Sequence, residues 1–177
     1  MFTQLKNKKV EIAYLADLFS KFNELNLKLQ GKNVNLITTK SVIGAFISKL
    51  TFYRQNLGRC EISHFALLNK LKEYINDANL HVFCEHLEML EDDMKRRFND
   101  ILTLSIPEWV LDLFVAVRID SAIADELIEI QNDNELKVKF KISYQEFWLQ
   151  DSIPYRFPGL WNHVQLLLIA FPTSYLV

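Results

Sequence analysis

Glycine and proline are scarce in this sequence, four of each among 177 residues, and the glycines (Gly31, Gly44, Gly58, Gly159) stand apart from one another. That spacing excludes the glycine-rich loops that cradle phosphates, where several small residues let backbone amides converge on the anion. The same scarcity, with abundant Leu, Lys, Glu and Asn, argues against a turn-rich β-sandwich and for long helices. Cysteine is equally thin. Cys60 and Cys84 form no framework spacing, and no Cys-x-x-Cys pair with matching histidines encodes a zinc finger. No apolar run approaches the ~18 residues of a membrane-spanning helix; residues 164–171 come nearest and read as a buried segment. The opening Met1-Phe-Thr-Gln-Leu-Lys-Asn-Lys-Lys9 lacks an apolar secretory core, which with the sparse cysteines points to a reducing, intracellular setting.

What is present is hydrophobic residue, half of the total, with 24% charged, 12% aromatic and a net charge of -2. A chain this long and this rich in Leu, Ile, Val and Phe cannot be disordered, and residues 1–177 read as one helical domain. Charge is graded along it. Residues 1–60 carry ten Lys/Arg against three Asp/Glu, residues 61–110 five against ten, and residues 111–177 five against nine. A basic first third can face nucleic acid or pair with the acidic remainder; packing is the favoured reading, because basic runs stop at Lys8-Lys9 and Lys95-Arg96-Arg97.

Periodicity divides the domain into a helical hairpin array over residues 1–104 and an irregular, helix-containing part over 105–177. Leu15, Leu18, Phe19, Phe22, Leu25 and Leu29 recur at three- and four-residue steps, an amphipathic helix that Gly31 should end in a left-handed cap. A second helix is predicted from Thr39 or Ser41 to Gly58 with Val42, Ala45, Phe46, Lys49, Leu50 and Tyr53 on its stripe, a third over residues 62–78, and a fourth over residues 80–101 using Val82, Phe83, Leu87, Leu90, Met94 and Phe98. Short connections favour antiparallel neighbours. The partly β-branched stretch after Pro107 reads as an extended crossing segment or single strand. Helices are expected again over residues 121–131 and 135–140. Ser143-Tyr-Gln-Glu146 is a capping box opening a short helix with Phe147 and Trp148. Ile153-Pro-Tyr-Arg-Phe-Pro-Gly should break the chain before a last helix that starts at Pro158 and stops by Pro172. The expectation is all-α, with roughly eight helices.

Candidate chemistry is sparse. On a helix His81 and Cys84 share a face while His86 points elsewhere, so at most two ligands converge where zinc usually takes three or four. No spacing supplies an orienting group for a cysteine nucleophile at Cys60 or Cys84. Glu88, Glu91, Asp92 and Asp93 could serve a metal-dependent nuclease, but Glu91, Asp92 and Asp93 each stand four residues before Lys95, Arg96 or Arg97, the helical ion-pair spacing. Asp112, Asp120 and Asp125-Glu126 read as loop and helix-start residues. Trp109, Phe147, Trp148, Tyr155 and Trp161 lack interleaved basic residues and read as core or an interface pocket. Neither a catalytic, a cofactor nor a metal site is expected.

The run Tyr14-Leu-Ala-Asp-Leu-Phe-Ser-Lys-Phe-Asn-Glu-Leu-Asn-Leu-Lys-Leu-Gln-Gly-Lys32 resembles a helical segment of hAT-superfamily transposase-derived proteins of the BED zinc-finger group. Glu126-Leu-Ile-Glu-Ile-Gln-Asn-Asp-Asn-Glu-Leu-Lys-Val-Lys-Phe140, Glu146-Phe-Trp148 and Phe171-Pro-Thr-Ser-Tyr-Leu176 are similar to the C-terminal region of that family, in the same order. The resemblance implies a helical region inserted in an RNase H-like catalytic core that uses an Asp-Asp-Glu triad with divalent metal, below a DNA-binding BED finger. It places both aspartates before Met1 and the glutamate beyond Val177, so no residue here matches the triad, and a nuclear, truncated, non-enzymatic protein is expected. Two-metal phosphoryl transfer needs carboxylates to hold its ions.

The expected role is therefore a protein-interaction or scaffold module, self-associating or binding a protein partner, through Phe147, Trp148, Trp161, Leu167, Phe171 and Tyr175 on the segment that the missing core would cover. The competing expectation is sequence-independent DNA binding through Lys6, Lys8, Lys9, Lys21, Lys28, Lys32 and Lys40. No membrane and no small-molecule substrate is expected.

Overall fold

A computed structural model describes residues 2–31, 34–114 and 121–168, with side chains described from residue 8 and, after the second gap, from residue 123. Among the described residues the fold is all-α: eleven α-helices, one 3-10 turn and no strand. The chain divides into two compact units, Met1–Val34 with Thr38–Thr103 and Asn35–Ile37 with Leu104–Val177.

The first unit rests on three long helices, α1 (Phe2–Leu29), α2 (Leu36–Gly58) and α4 (Asp77–Arg97). Its core takes Val10, Tyr14, Leu18 and Leu25 from α1, Ile43, Phe46, Ile47, Leu50 and Leu57 from α2, and Phe83, Leu87 and Met94 from α4. Tyr14 stacks on Phe83 at 4.1 Å between centroids and its hydroxyl meets His86 Nδ1 at 3.0 Å. Burial pushes the Tyr14 phenol far above its ordinary pKa, so it stays a neutral hydrogen-bonding group. The buried face of α1 is rotated from the expected stripe: Leu15 and Phe19 point outward, because Tyr14 and Asp17 fill the core side.

The predicted third helix does not form as one piece. α3 (Ala66–Asn69) makes a single turn and a 3-10 turn follows over Lys72–Tyr74. One long-range cap and one local cap decide this. Asp17 on α1 accepts from Leu67 N and Leu68 N at 2.9 Å, which fixes the start of α3, and Asn76 and Asn79 form a reciprocal capping box that restarts the chain as α4. Past Phe98, a further turn forms α5 (Asn99–Leu102). α2 ends at Gly58 as expected, and a left-handed residue follows at Cys60, at φ 61°; Gly31, expected to be left-handed at the end of α1, has no positive φ, and neither does any other described glycine. Glu61 N bonds Asn56 O and Cys60 N bonds Leu57 O, the paired pattern of a Schellman cap.

The second unit is assembled from short pieces: α6 (Glu108–Leu111), α7 (Ser121–Asn132), α8 (Asn134–Ile142), α9 (Tyr144–Trp148), α10 (Ser152–Arg156) and α11 (Pro158–Leu168). In the segment after Pro107, read from the sequence as an extended crossing segment or single strand, Glu108–Leu111 is a helical turn with Trp109 and Val110 buried, and residues 115–117 lie outside the described residues. Ser152–Arg156 forms α10 inside the stretch expected to break the chain, since Pro154 falls in the first turn, where its missing N–H has no helical acceptor to lose. Ser143 accepts from Glu146 N at 3.2 Å, half of the expected capping box; its own N–H is taken by Lys139 O, leaving nothing for the glutamate to satisfy. Pro172 lies outside the described residues. Glu126 is a mid-helix residue of α7, and its carboxylate accepts from Gly159 N and Leu160 N at 3.0 and 2.8 Å, capping α11. A Cβ on residue 159 would stand 3.0 Å from that carboxylate, so a larger residue there requires the Glu126 side chain to give by a few tenths of an ångström.

Candidate functional site

α1 presents two usable surfaces. Opposite its core face, Ile12, Leu15 and Phe19 are 64%, 39% and 68% exposed, and Ala16 lies exposed between them. Steps of three and four keep these residues on one helical ridge. Leu67, held by the Asp17 cap, extends the ridge into an apolar groove with Ala13 and Leu71, flanked by Lys9 and Lys70.

On its other flank α1 faces α2 across a cleft of about 210 Å³. Buried Leu25 and Phe46 form its floor and half-buried Val42 and Tyr53 its walls, while exposed Glu24, Lys28, Ser41, Ala45 and Lys49 ring the opening. Lys21 closes one end. Its ammonium donates to His64 O at 2.7 Å and sits over the rings of Tyr53 and Phe65, at 4.4 and 5.0 Å. Burial lowers the Lys21 pKa, the charges of Asp17 and Glu24 oppose that, and Lys49 adds to it. Among the described residues neither Lys28 nor Lys49 belongs to a salt bridge.

Of the lysines expected to contact DNA, Lys21 and Lys28 line this cleft, Lys8 and Lys9 are exposed on α1, and Lys40 is half-buried on α2. The Lys6 side chain and all of Lys32 lie outside the described residues. Lys49, which the sequence reading took for a stripe residue, completes the cleft's charge; its position one turn after Ala45 was the available clue.

The acidic cluster on α4 is held by cations. Lys95 reaches Glu91 at 2.6 Å and Arg97 reaches Asp93 at 2.5 Å, both at the expected spacing, whereas Arg96 turns to Asp93 instead of Asp92. Arg54 adds Glu88 at 2.8 Å and Glu91 at 3.9 Å, so one basic residue of the first third does pair with the acidic middle. His81 meets Glu85, His86 meets Tyr14 and the Cys84 thiol meets Arg54 O, three separate engagements. Burial raises the Cys84 pKa, which disfavours the nucleophilic thiolate. Among the described residues no group of three or more His, Cys, Asp or Glu is placed to hold a metal ion, and no helix is long and apolar enough to cross a membrane.

The aromatic interaction surface expected near the C-terminus is corrected by burial. Phe147, Trp148 and Leu167 lie inside the second core and Trp161 packs against it, while Phe171 and Tyr175 lie outside the described residues. The reason is local: Trp148 donates its indole N–H to Val110 O at 2.9 Å and meets Trp109, Phe140 and Phe147 edge-on, so these rings satisfy one another.

No family model matches this sequence, and no solved structure does. The chain is 25% identical, over 173 residues, to the general transcription factor II-I repeat domain-containing protein 2 of Bos taurus, an alignment that covers 94% of this chain and 18% of that protein. This chain therefore spans less than a fifth of the length of that relative.

Proposed function

We propose that this chain is a catalytically inactive, transposase-derived protein-interaction module in which the outer face of α1 binds a second copy. The exposed ridge of Ile12, Leu15, Ala16 and Phe19 carries the reading, since contiguous apolar surface on one helical face is the usual mark of an interface. The ridge is self-complementary. Two α1 helices packed antiparallel about a point between Leu15 and Ala16 set Ile12 against Phe19 and Leu15 against Ala16. The ordered sequence resemblance supports the ancestry, and a relative named for a transcription-factor repeat supports a nuclear setting.

A few side chains per copy fall short of the ~800 Å² per partner of a standard interface, so association in the micromolar range is expected. Sedimentation velocity on the wild type should show a concentration-dependent dimer. Ile12→Glu with Phe19→Glu should give a monomer of unchanged helicity, because exposed substitutions usually shift stability by no more than ~0.5 kcal/mol. A wild type that stays monomeric across the micromolar range, or a double variant that still dimerises, would end the proposal. Duplex DNA added to the same run tests the competing lysine reading, whose complex must dissolve steeply with salt.

A further inference from the structure

The cleft between α1 and α2 is a separate surface from the outer face of α1. We infer that it is a docking site for an acidic peptide segment of a protein partner, in which one bulky apolar side chain enters the cleft and flanking carboxylates meet Lys28 and Lys49. Three observations converge on this occupant.

The first is charge. Lys21, Lys28 and Lys49 line the cleft against the single carboxylate of Glu24, and the two lysines at the opening have no salt bridge among the described residues. The second is the lining. Leu25, Val42 and Phe46 offer an apolar surface, and Phe46 is braced from behind by Phe22 at 5.0 Å between centroids. Side chains that fill such pockets supply most of the energy at peptide interfaces. The third is size. About 210 Å³ is below the roughly 300–1,000 Å³ of ordinary small-molecule sites and suits a single anchoring side chain.

A nucleic acid fits less well. Duplex DNA is a convex rod whose phosphates would touch Lys28 and Lys49 and leave the apolar floor unused. A nucleobase inserted from a single strand would set its inner edge against Leu25, Val42 and Phe46, so that only the hydroxyls of Thr38, Ser41 and Tyr53 in the lining remain for its polar atoms. Glu24 at the opening also repels a continuous phosphate chain, whereas a peptide can space its carboxylates around it.

The test is fluorescence anisotropy on the full chain at physiological salt with a labelled peptide, Gly-Asp-Glu-Asp-Phe-Glu-Asp-Gly. Two controls change Phe to Ala, or every acid to its amide, and a labelled single-stranded oligonucleotide and a labelled duplex complete the set. The chain should bind the parent peptide and lose at least tenfold in affinity for each control. Lys28→Glu with Lys49→Glu should weaken the parent peptide at least tenfold. Ala45→Trp, which fills the cleft without changing charge, should do the same; both variants alter exposed positions, and circular dichroism checks their fold. The inference is overturned if no peptide binds, if the alanine control binds as well as the parent, if Ala45→Trp has no effect, or if either oligonucleotide binds more tightly than the peptide. None of these readouts depends on dimerisation, which Ile12→Glu with Phe19→Glu removes separately.

Discussion

The first unit is built on helices of 28, 23 and 21 residues, all but the first two residues of α2 lying within it, whereas no helix confined to the second exceeds 12 among the described residues. Both nevertheless close a core of similar chemistry, and both use the same device to do so. A carboxylate on one helix caps the start of another far along the chain: Asp17 does this for α3, and Glu126 for α11. The lesson lies in the division of labour. Long helices carry enough periodic apolar residues to define their own packing face, and in the first unit polar ties such as Tyr14–His86 and Arg54–Glu88 join helices already packed that way. Short helices cannot hold together alone, because nucleation is unfavourable and one or two turns recover little of it. The second unit instead depends on interlocked rings and on side chains that satisfy helix ends.

That comparison can be broken most forcefully at Trp148. It is fully buried, packs against three aromatic rings and bonds Val110 O. Trp148→Ala should destabilise by about 3–5 kcal/mol. Hydrogen exchange should locate the lost protection in residues 104–168, and even loss across all described residues would show that the second core is not the specific dependant.

Removing the two caps sharpens the contrast. Asp17 is buried and satisfies two amides of a one-turn helix, so Asp17→Ala should cost about 2–3 kcal/mol by stranding them. Glu126 is only half-buried and caps an eleven-residue helix; Glu126→Ala should cost about 1–2 kcal/mol in urea unfolding. Equal losses would refute the argument that the shorter helix leans harder on its cap.

Acid provides a milder probe. Burial raises the Glu91 carboxyl, yet the hydrogen bond from Lys95 and the charges of Lys95 and Arg54 outweigh it and hold the pKa below the ordinary range. Asp93 is held low chiefly by Arg96, and Asp133 in the second unit chiefly by the Leu136 amide and then by Arg156. A carboxylate depressed on folding contributes stability that is full above its unfolded pKa, near 4, and fades as pH falls through its folded value. Of these three carboxylates two belong to the first unit, so amides of residues 10–98 should lose protection ahead of those of residues 123–168 as pH drops below about 5. The reverse order would assign acid sensitivity elsewhere.

Cys60 offers the smallest effect. Its left-handed backbone carries a steric penalty that glycine escapes, so Cys60→Gly should stabilise by about 0.5–1 kcal/mol in a thermal melt. No gain would mean that unfolded-state entropy cancels the relief.

The candidate surfaces were legible only in part. Lys21 and Lys28 stood out by charge, but nothing in their spacing announced that Lys49 would join them across a cleft, because that depends on how α1 and α2 meet. Phe147, Trp148 and Leu167 misled in the opposite direction. Their apolarity was plain, yet whether a hydrophobic residue is core or interface is decided by neighbours that periodicity does not name. Leu15 and Phe19 were read as core-facing and are exposed, because Tyr14 and Asp17 found partners in Phe83, His86 and the start of α3.

The sequence by itself determined the helical class, the stops near Gly31 and Gly58, the start at Pro158, the Ser143 cap and the ion pairs of Lys95 and Arg97, all of which arise between residues a few positions apart. Only the tertiary structure decided which face of α1 is buried, that residues 62–78 break into two turns, that α10 forms, and that a basic cleft opens over Leu25 and Phe46. Local hydrogen bonds and steric limits act along the chain and can be read from it. Burial and trans-capping act between segments tens of residues apart, and their outcome is fixed only when those segments compete for the same space.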